Sequence, residues 1–251
     1  NAPLAIGKVF DGEHPSEPKH FFEGVIDEVI IWDRALSSSE LYARYSSLVA
    51  HWQFDEGEGT TAYDSSGNGN DGTLVNGPQW VEGIDGSALH FDGEDDYING
   101  PTVSLDVSNQ NLLTLSAWVK PNTDDGLGRV FSYYPEDSQN QIYAVAIDYG
   151  KIYFLAGLED QFEQGQGNIG ESILAINQWN HIAVTYDNEA VRFYLNGNLD
   201  FEHYVEASFD SINDGEFFIG AHSVWNDHTN SFQVFDGSIR DIKIFNTALT
   251  R

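Results

Sequence analysis

The sequence predicts an all-β protein, a two-sheet antiparallel jelly-roll sandwich, on three observations. Short apolar runs, several of them strictly alternating, are separated by turns rich in Gly, Asn and Asp, as in all-β sandwiches. Aromatic residues form 14% of the chain and suit half-buried strand positions. One stretch, residues 37–45, has helical features, because Ser37 and Glu40 form a capping box. We therefore expect a single short linker helix.

An internal repeat divides the chain. Residues 22–36 and 235–249 align without gaps at an offset of 235 − 22 = 213 and are identical at six of fifteen positions. Since repeats mark domain boundaries, we expect residues 1–46 to be the C-terminal strands and helix of a preceding copy, and 47–251 a complete domain. Both ends then fall inside repeats, as in a slice of a longer precursor or tandem array. The fragment is too small to bury a core alone, so an upstream domain, the following domain or a neighbouring subunit would complete it.

The predicted strands of the complete domain follow in order, each bounded by turn residues. Residues 113–120 alternate cleanly, and Asn196-Gly197 is a tight-turn signal after a hairpin. The predicted strands span residues 48–54, 73–75, 80–81, 88–91, 97–98, 113–120, 129–133, 142–147, 151–155, 178–187, 190–195, 217–220 and 238–245. Strand positions also predict core roles for Trp32, Trp52, Trp118 and Trp179.

The charge excludes two classes of partner. Forty Asp and Glu against eleven Lys and Arg give a net charge of −29, which repels nucleic acid and anionic membrane surfaces. No apolar run reaches the roughly 18 residues of a membrane helix, so we expect no membrane insertion. The absence of Cys excludes disulfides and thiol chemistry. The acids fit either divalent cation binding or a surface kept soluble in salty water, and we assign most of them to the second.

A series of motifs carries a family likeness. HWQFDEGEGTTAYDSSGNGNDGTL, ALHFDGEDDYI, TLSAWVKP, QWNHIAVTYD, VRFYLNG, FFIG and FDGSIRDIKIFNTAL occur in this order. They resemble the laminin-G-like jelly-roll module of the concanavalin A-like lectin/glucanase superfamily, from about residue 48 to the end and again over 4–46. The resemblance implies a secreted or cell-surface protein, often calcium-binding, that binds glycans or proteins. It does not fix the function, because one fold hosts many.

The loop 64–71, DSSGNGND, is the candidate metal site. Asp64, Asn68, Asn70 and Asp71 bring oxygen-bearing side chains together on a Gly-rich loop, and calcium takes six to eight oxygen ligands. In the modules that the chain resembles, this loop commonly lies near a structural Ca²⁺ beside the final strand, which would add Asp241. The alternative is an ordinary Asn/Asp/Gly turn. A second acidic cluster, residues 92–96, is interpreted as a solvated hairpin tip.

Two loops are candidates for ligand recognition through exposed aromatic rings with polar neighbours. One contains Tyr133 and Tyr134. The other contains Trp225, Asp227 and His228, and the repeat partner of Trp225 is Gly12, so the two copies differ in this loop. The alternative is that Trp225 packs on the base of its loop.

The sequence predicts no enzyme. Glycoside cleavage on one strand needs carboxylates at same-face spacing, and no Glu-X-Asp-X-Glu run occurs; nor does a nucleophile-elbow motif. We expect a non-catalytic, calcium-stabilised extracellular binding or adhesion module that recognises glycan or protein through rim loops. The alternatives are a structural repeat of a tandem array or surface filament, completed by strand addition between subunits, and a glycan-cleaving enzyme.

Overall fold

The computed structural model describes residues 9–11, 14–19, 35, 37, 47–101, 112–135, 143–156, 169–204, 215–222 and 233–249. The chain divides into two compact units, Asn1–Tyr42 and Ala43–Arg251. In the first unit, β1 (Val9–Asp11) pairs antiparallel with β2 (His14–Lys19). The origin of residues 1–46 in a preceding repeat stays a prediction. Residues 38–45 of the expected linker helix lie outside the described residues.

The second unit consists of strands and turns wherever it is described. Its strands are β3 (Leu48–Trp52), β4 (Thr61–Ala62), β5 (Gly72–Val75), β6 (Gln79–Glu82), β7 (Ser87–Asp92), β8 (Tyr97–Asn99), β9 (Leu113–Pro121), β10 (Leu127–Pro135), β11 (Tyr143–Asp148), β12 (Lys151–Ala156), β13 (Asn180–Tyr186), β14 (Ala190–Leu195), β15 (Asn198–Tyr204), β16 (Gly215–Ile219) and β17 (Asp236–Phe245). Within the described part of the chain, no helix is long and apolar enough to span a bilayer.

The strands form two antiparallel sheets that stack as a sandwich, which confirms the predicted fold class. One sheet has the order β12-β11-β10-β16-β8-β5-β4, and the other β15-β14-β13-β9-β17-β7-β6. The long strand β17 pairs with β9 along one edge. Along its other edge it pairs with β7 over residues 236–239 and then with β3 over residues 242–245. The change of neighbour at residues 240–241 matters for the site described below.

The core lies between the sheets and is rich in aromatic rings. Trp52 is fully buried, with ring centroids 4.6 Å from Phe217 and 5.9 Å from Phe131 on the opposite sheet. Along β9 the predicted alternation is confirmed, because Leu115, Ala117 and Val119 are buried and the residues between them are half-buried.

Two of the predicted core tryptophans are not in the core. Trp118 has the opposite parity to the inward residues of β9, so it is half-buried on the outer face, edge-on to His181 at 5.1 Å. Trp179 is half-buried and precedes the first residue of β13. Trp52 is confirmed as core, and Trp32 lies outside the described residues.

Candidate functional site

Asp64 organises the loop that the sequence singled out for metal. Its Oδ1 accepts hydrogen bonds from the backbone N–H groups of His51 and Ser66, both at 2.9 Å. Its Oδ2 accepts from Ser66 Oγ at 2.8 Å and from the N–H of Asn70 at 2.9 Å. Burial raises the pKa of Asp64, but these hydrogen bonds outweigh burial and leave the pKa below its ordinary value.

The same loop covers the outer edge of β3. Asn68 Nδ2 donates to the carbonyls of Leu48 at 3.1 Å and Val49 at 2.9 Å, and Asn70 Nδ2 donates to Val49 O at 2.9 Å. Among the described strands, β3 pairs with β17 alone. An edge strand carries peptide groups that need partners, so the side chains of the loop supply hydrogen bonds that a further strand would otherwise make.

Asp241 lies where β17 changes neighbour. The pairing register shifts between Arg240 and Lys243, and Asp241 has φ = +54°. His51 Nε2 donates to its Oδ1 at 2.7 Å, and Lys243 Nζ donates to its Oδ2 at 3.0 Å. Burial raises the pKa of Asp241, but His51 and Lys243 outweigh it and lower the pKa to about 2. Asp64 and Asp241 therefore contact the same residue: Asp64 binds the backbone N–H of His51, and Asp241 binds its ring.

The candidate calcium ligands of this loop also make hydrogen bonds within the protein. Both oxygens of Asp64 and both oxygens of Asp241 already accept hydrogen bonds. Asp71 Oδ1 accepts the N–H of Asp64 at 2.8 Å. The interpretation as an Asn/Asp/Gly turn explains each of these contacts, and calcium binding at this loop stays a prediction.

The described acidic side chains that do cluster are those of the β7–β8 turn. Ligand oxygens of Asp92, Asp95 and Asp96 lie within 4.8 Å of one another. Asp92 Oδ1 accepts the N–H groups of Glu94 at 2.8 Å and Asp95 at 3.3 Å, and Asp96 Oδ2 accepts the N–H of Asp92 at 3.1 Å. The bond from Glu94 leads the contacts that lower the pKa of Asp92, whereas burial raises the pKa of Asp96. Asp92 and Asp95 are solvated as expected, but Asp96 is buried.

A pocket of about 190 Å³ opens beside this turn, where several loops meet at one end of the sandwich. We call it the loop-end pocket. It is formed by the β7–β8 turn, the β9–β10 loop, the β11–β12 turn and the segment leading into β17. Its lining residues are Gly93, Pro121, Thr123, Asp125, Gly126, Leu127, Gly128, Ile147, Gly150, Val234, Phe235 and Asp236.

The loop-end pocket combines an apolar base with a polar rim. Ile147 and Phe235 are buried, whereas Asp125 is exposed and Asp236 half-buried. Asn122 fixes Asp236, since its Nδ2 donates to Asp236 Oδ1 at 2.7 Å and its N–H donates to Asp236 O at 3.0 Å. Carboxylate and amide groups over an apolar base are features of small-molecule sites.

The β11–β12 turn, which contributes Gly150 to the loop-end pocket, carries an exposed aromatic residue. Tyr149 is 69% exposed. Its N–H donates to the carbonyl of Gly126 at 2.9 Å, and its chain neighbour is Gly150; both glycines line the pocket. Gly150 has φ = +76°, and a Cβ there would lie 3.0 Å from Ile173 and 3.2 Å from Asp124, so this tight turn favours Gly. The turn thus connects an exposed tyrosine to two glycines that line the pocket.

The predicted ligand-binding tyrosines are not exposed. Tyr133 is fully buried and stacks on Tyr143 at 5.5 Å, and Tyr134 is 8% exposed, edge-on to His222 at 5.0 Å. The expectation of exposed loop rings is wrong here because β10 continues to Pro135 and places both rings within a sheet. Trp225, Asp227 and His228 lie outside the described residues.

Sequence reasoning missed Tyr149, Asp125 and Asp236 as site residues. The segments that carry the first two had readable turn signals, Tyr-Gly and Asn-Thr-Asp-Asp-Gly. Asp236 begins the repeated strand, but nothing in its local pattern indicates a pocket.

Comparison with family models matches residues 92–251 to a laminin G model described as concanavalin A-like lectin/glucanases superfamily. The chain belongs to this superfamily. The resemblance seen in the motifs is thereby confirmed over more than half of the chain. Comparison with curated proteins gives no match.

Solved structures with the same fold include both parts of enzymes and receptor-binding domains. Domain 4 of AbnA, a GH43 extracellular arabinanase from Geobacillus stearothermophilus, was solved with arabinotriose. It is 25% identical with a TM-score of 0.60, over 81% of this chain and 94% of that domain. A second structure is of botulinum neurotoxin type C, a toxin whose cell entry depends on interaction with two ganglioside molecules. It is 19% identical with a TM-score of 0.60, over 82% of this chain and 49% of that chain. The binding domain of Paraclostridial Mosquitocidal Protein 1 is 16% identical with a TM-score of 0.58, over 82% and 50%. This chain spans about half of the two toxin structures, and at their identities the likeness concerns the fold.

Proposed function

We propose that the second unit is a non-catalytic glycan-binding module and that the loop-end pocket is its binding site. The observation that carries the proposal is a pocket lined by Asp125 and Asp236, next to a turn that carries the exposed residue Tyr149. Sugars stack their C–H faces on aromatic rings and donate hydroxyl hydrogens to carboxylates and amides. The likeness to an arabinanase domain solved with arabinotriose supports the proposal.

The size of the pocket favours recognition of a short part of a glycan. Its volume of about 190 Å³ is below the roughly 300–1,000 Å³ typical of sites that enclose a small molecule. A sugar unit held there would remain partly solvated, and adjoining units would lie along the rim at Tyr149. We expect weak affinity for one site, since exposed polar contacts exchange with water.

The acids at this end of the sandwich favour binding over catalysis. Glycoside cleavage uses two carboxyl groups about 5–9.5 Å apart, with the pKa of the acid raised. Asp92 and Asp96 have pKa values shifted in opposite directions. Both accept N–H groups of their own turn. Their pKa values are thus explained by turn formation, and Asp92 and Asp96 are not the acid and base of a hydrolase in this proposal.

The proposal also places the module outside the cell, where it would attach its protein to a glycan surface. The extracellular location of AbnA supports this.

The test is calorimetry or a glycan array with neutral oligosaccharides, arabinotriose among them. Tyr149→Ala should weaken binding about tenfold, corresponding to about 1.4 kcal/mol. The matched control is Tyr204→Ala, because Tyr204 is also 69% exposed but lies on β15 in the other sheet, whereas Tyr149 lies in the β11–β12 turn. Equal melting temperatures would show that both variants fold. Binding by Tyr149→Ala at the wild-type level, or no glycan bound by the wild type, would refute the proposal.

A further inference from the structure

We infer that the loop-end pocket selects uncharged glycans and rejects glycans that carry carboxylate or sulfate groups; the inference rests on the proposed function. Asp125 and Asp236 line the pocket. Asp92 is the cross-strand partner of Asp236 in the β7–β17 pair, and Asp95 lies in the same turn. Asp124 precedes Asp125 and approaches Gly150 of the lining. Carboxylates therefore surround the pocket on the β7–β8, β9–β10 and β17 sides.

The described cations nearest in sequence do not line the pocket. Arg129 is 2% exposed, and its Nε donates to Gln233 Oε1 at 2.8 Å, so it lies beneath the surface. Lys120 is on the outer face of β9, by the same alternation that puts Val119 inside. Lys151 follows Gly150 and is opposite Asp148 in the β11–β12 pair. Negative charge is consequently in excess around the pocket.

This charge distribution discriminates between neutral and anionic glycans by hydrogen-bond complementarity and by electrostatic repulsion. A sugar hydroxyl can donate its hydrogen to Asp125 or Asp236, whereas a carboxylate or sulfate has only acceptors. A ligand anion would also meet the negative potential of the rim, and like charges across an interface suppress wrong partners. The repulsion acts through solvent and should weaken with salt, because the Debye length falls from about 30 Å at 0.01 M to about 3 Å at 1 M. Gangliosides carry sialic-acid carboxylates, so the pocket should discriminate against them.

The experiment compares matched neutral and anionic glycans by calorimetry on the whole chain. The pairs are lactose with sialyllactose and galactotriose with trigalacturonate, with arabinotriose as a further neutral probe, each at about 20 mM and about 500 mM salt. At low salt the neutral member of each pair should bind at least about tenfold more tightly than its anionic partner. At high salt this ratio of affinities should decrease.

Charge removal supplies the second arm. Asp125→Asn combined with Asp236→Asn should reduce the ratio of neutral to anionic glycan affinity at low salt. The control is Glu189→Gln, which removes one exposed charge from the β13–β14 turn, at the opposite end of β13 from the residue paired with Val119. Anionic glycans bound as tightly as neutral ones at low salt would overturn the selectivity and leave glycan binding intact. Binding of none of the five probes would overturn the proposed function and the inference with it.

Discussion

Asp241 joins β17 to β3 through its hydrogen bond with His51 and also contacts Lys243 on its own strand. The substitution Asp241→Asn tests how much these two contacts stabilise the sandwich. Asn has almost the same shape as Asp and tolerates the left-handed φ of +54° found there. The substitution therefore leaves the backbone unstrained. It removes the negative charge that His51 and Lys243 contact at 2.7 Å and 3.0 Å.

The lowered pKa sets the expected magnitude. The pKa of Asp241 falls from 3.8 to about 2, which corresponds to roughly 2 kcal/mol at 1.36 kcal/mol per pKa unit. Because Asn can still accept a hydrogen bond from His51, this is an upper figure for the loss. In a domain of about 200 residues it predicts a melting temperature lower by about 4–8 °C.

The pH dependence distinguishes this cause from a general packing defect. The folded-state pKa lies below the unfolded-state value, so the stabilisation is complete above about pH 4 and is lost as the pH falls from 3.8 towards 2. The free energies of unfolding of wild type and variant should thus differ most at neutral pH and converge near pH 2.

The assay is urea unfolding at several pH values from about 7 to about 2.5, followed by tryptophan fluorescence, to which the buried Trp52 contributes. Asp85→Asn, at an exposed turn position, controls for the loss of one carboxylate. The explanation by the Asp241 charge would be refuted in either of two cases. The difference in the free energy of unfolding between wild type and variant could stay constant across the pH range, or it could already be absent at neutral pH.

Three further substitutions, one of them a control, examine the 64–71 loop and the close packing at Gly220. Asp64→Ala removes the acceptor of four hydrogen bonds and should lower the free energy of unfolding by about 2–4 kcal/mol. In thermal melts this loss should be the same with and without a calcium chelator. A chelator that destabilises only the wild type would instead indicate calcium in the loop. Gly220→Ala places a Cβ 2.4 Å from Phe91 Cδ1 at φ = +85° and should cost about 3 kcal/mol or more in urea unfolding. Gly67→Ala, with φ = +86° and no atom within 4 Å of the added Cβ, should cost about 1 kcal/mol; equal losses at the two glycines would contradict the steric argument.

The fold could be predicted because its signals are local. Alternation placed β9 within one residue of its observed bounds, and Gly, Asn and Asp marked the turns. The end of β10 could not be placed, because Tyr133 and Tyr134 suit a strand and a binding loop equally well. The alternation along β9 already places Trp118 on the outer face. The prediction put it in the core because large aromatic side chains in strands are usually buried.

The site depends on distant pairings that no local pattern carries. The composition of residues 64–71 fits a calcium loop and an edge-covering loop alike. The carbonyls of Leu48 and Val49 become its partners only because β3 lies at the edge of a sheet. The loop-end pocket likewise joins Gly93, Asp125, Gly150 and Asp236, which are far apart in sequence.

The repeated stretch 235–249 shows why the sequence predicted the fold better than the function. Positions identical in both copies include Phe235, Gly237, Ile239 and Ile244. Phe235 is 2% exposed, both isoleucines are fully buried, and a Cβ at Gly237 would lie 2.4 Å from Lys120 O. These are demands of packing in β17.

The positions that differ between the copies include Arg240, aligned with Asp27, and Asp241, aligned with Glu28. Arg240 Nη1 donates to Ser87 O at 2.9 Å and Asp241 contacts His51, so these side chains connect β17 to neighbouring elements rather than fill the core. Packing therefore explains the identity at Phe235, Ile239 and Ile244, whereas the changed residues Arg240 and Asp241 lie where β17 contacts neighbouring elements.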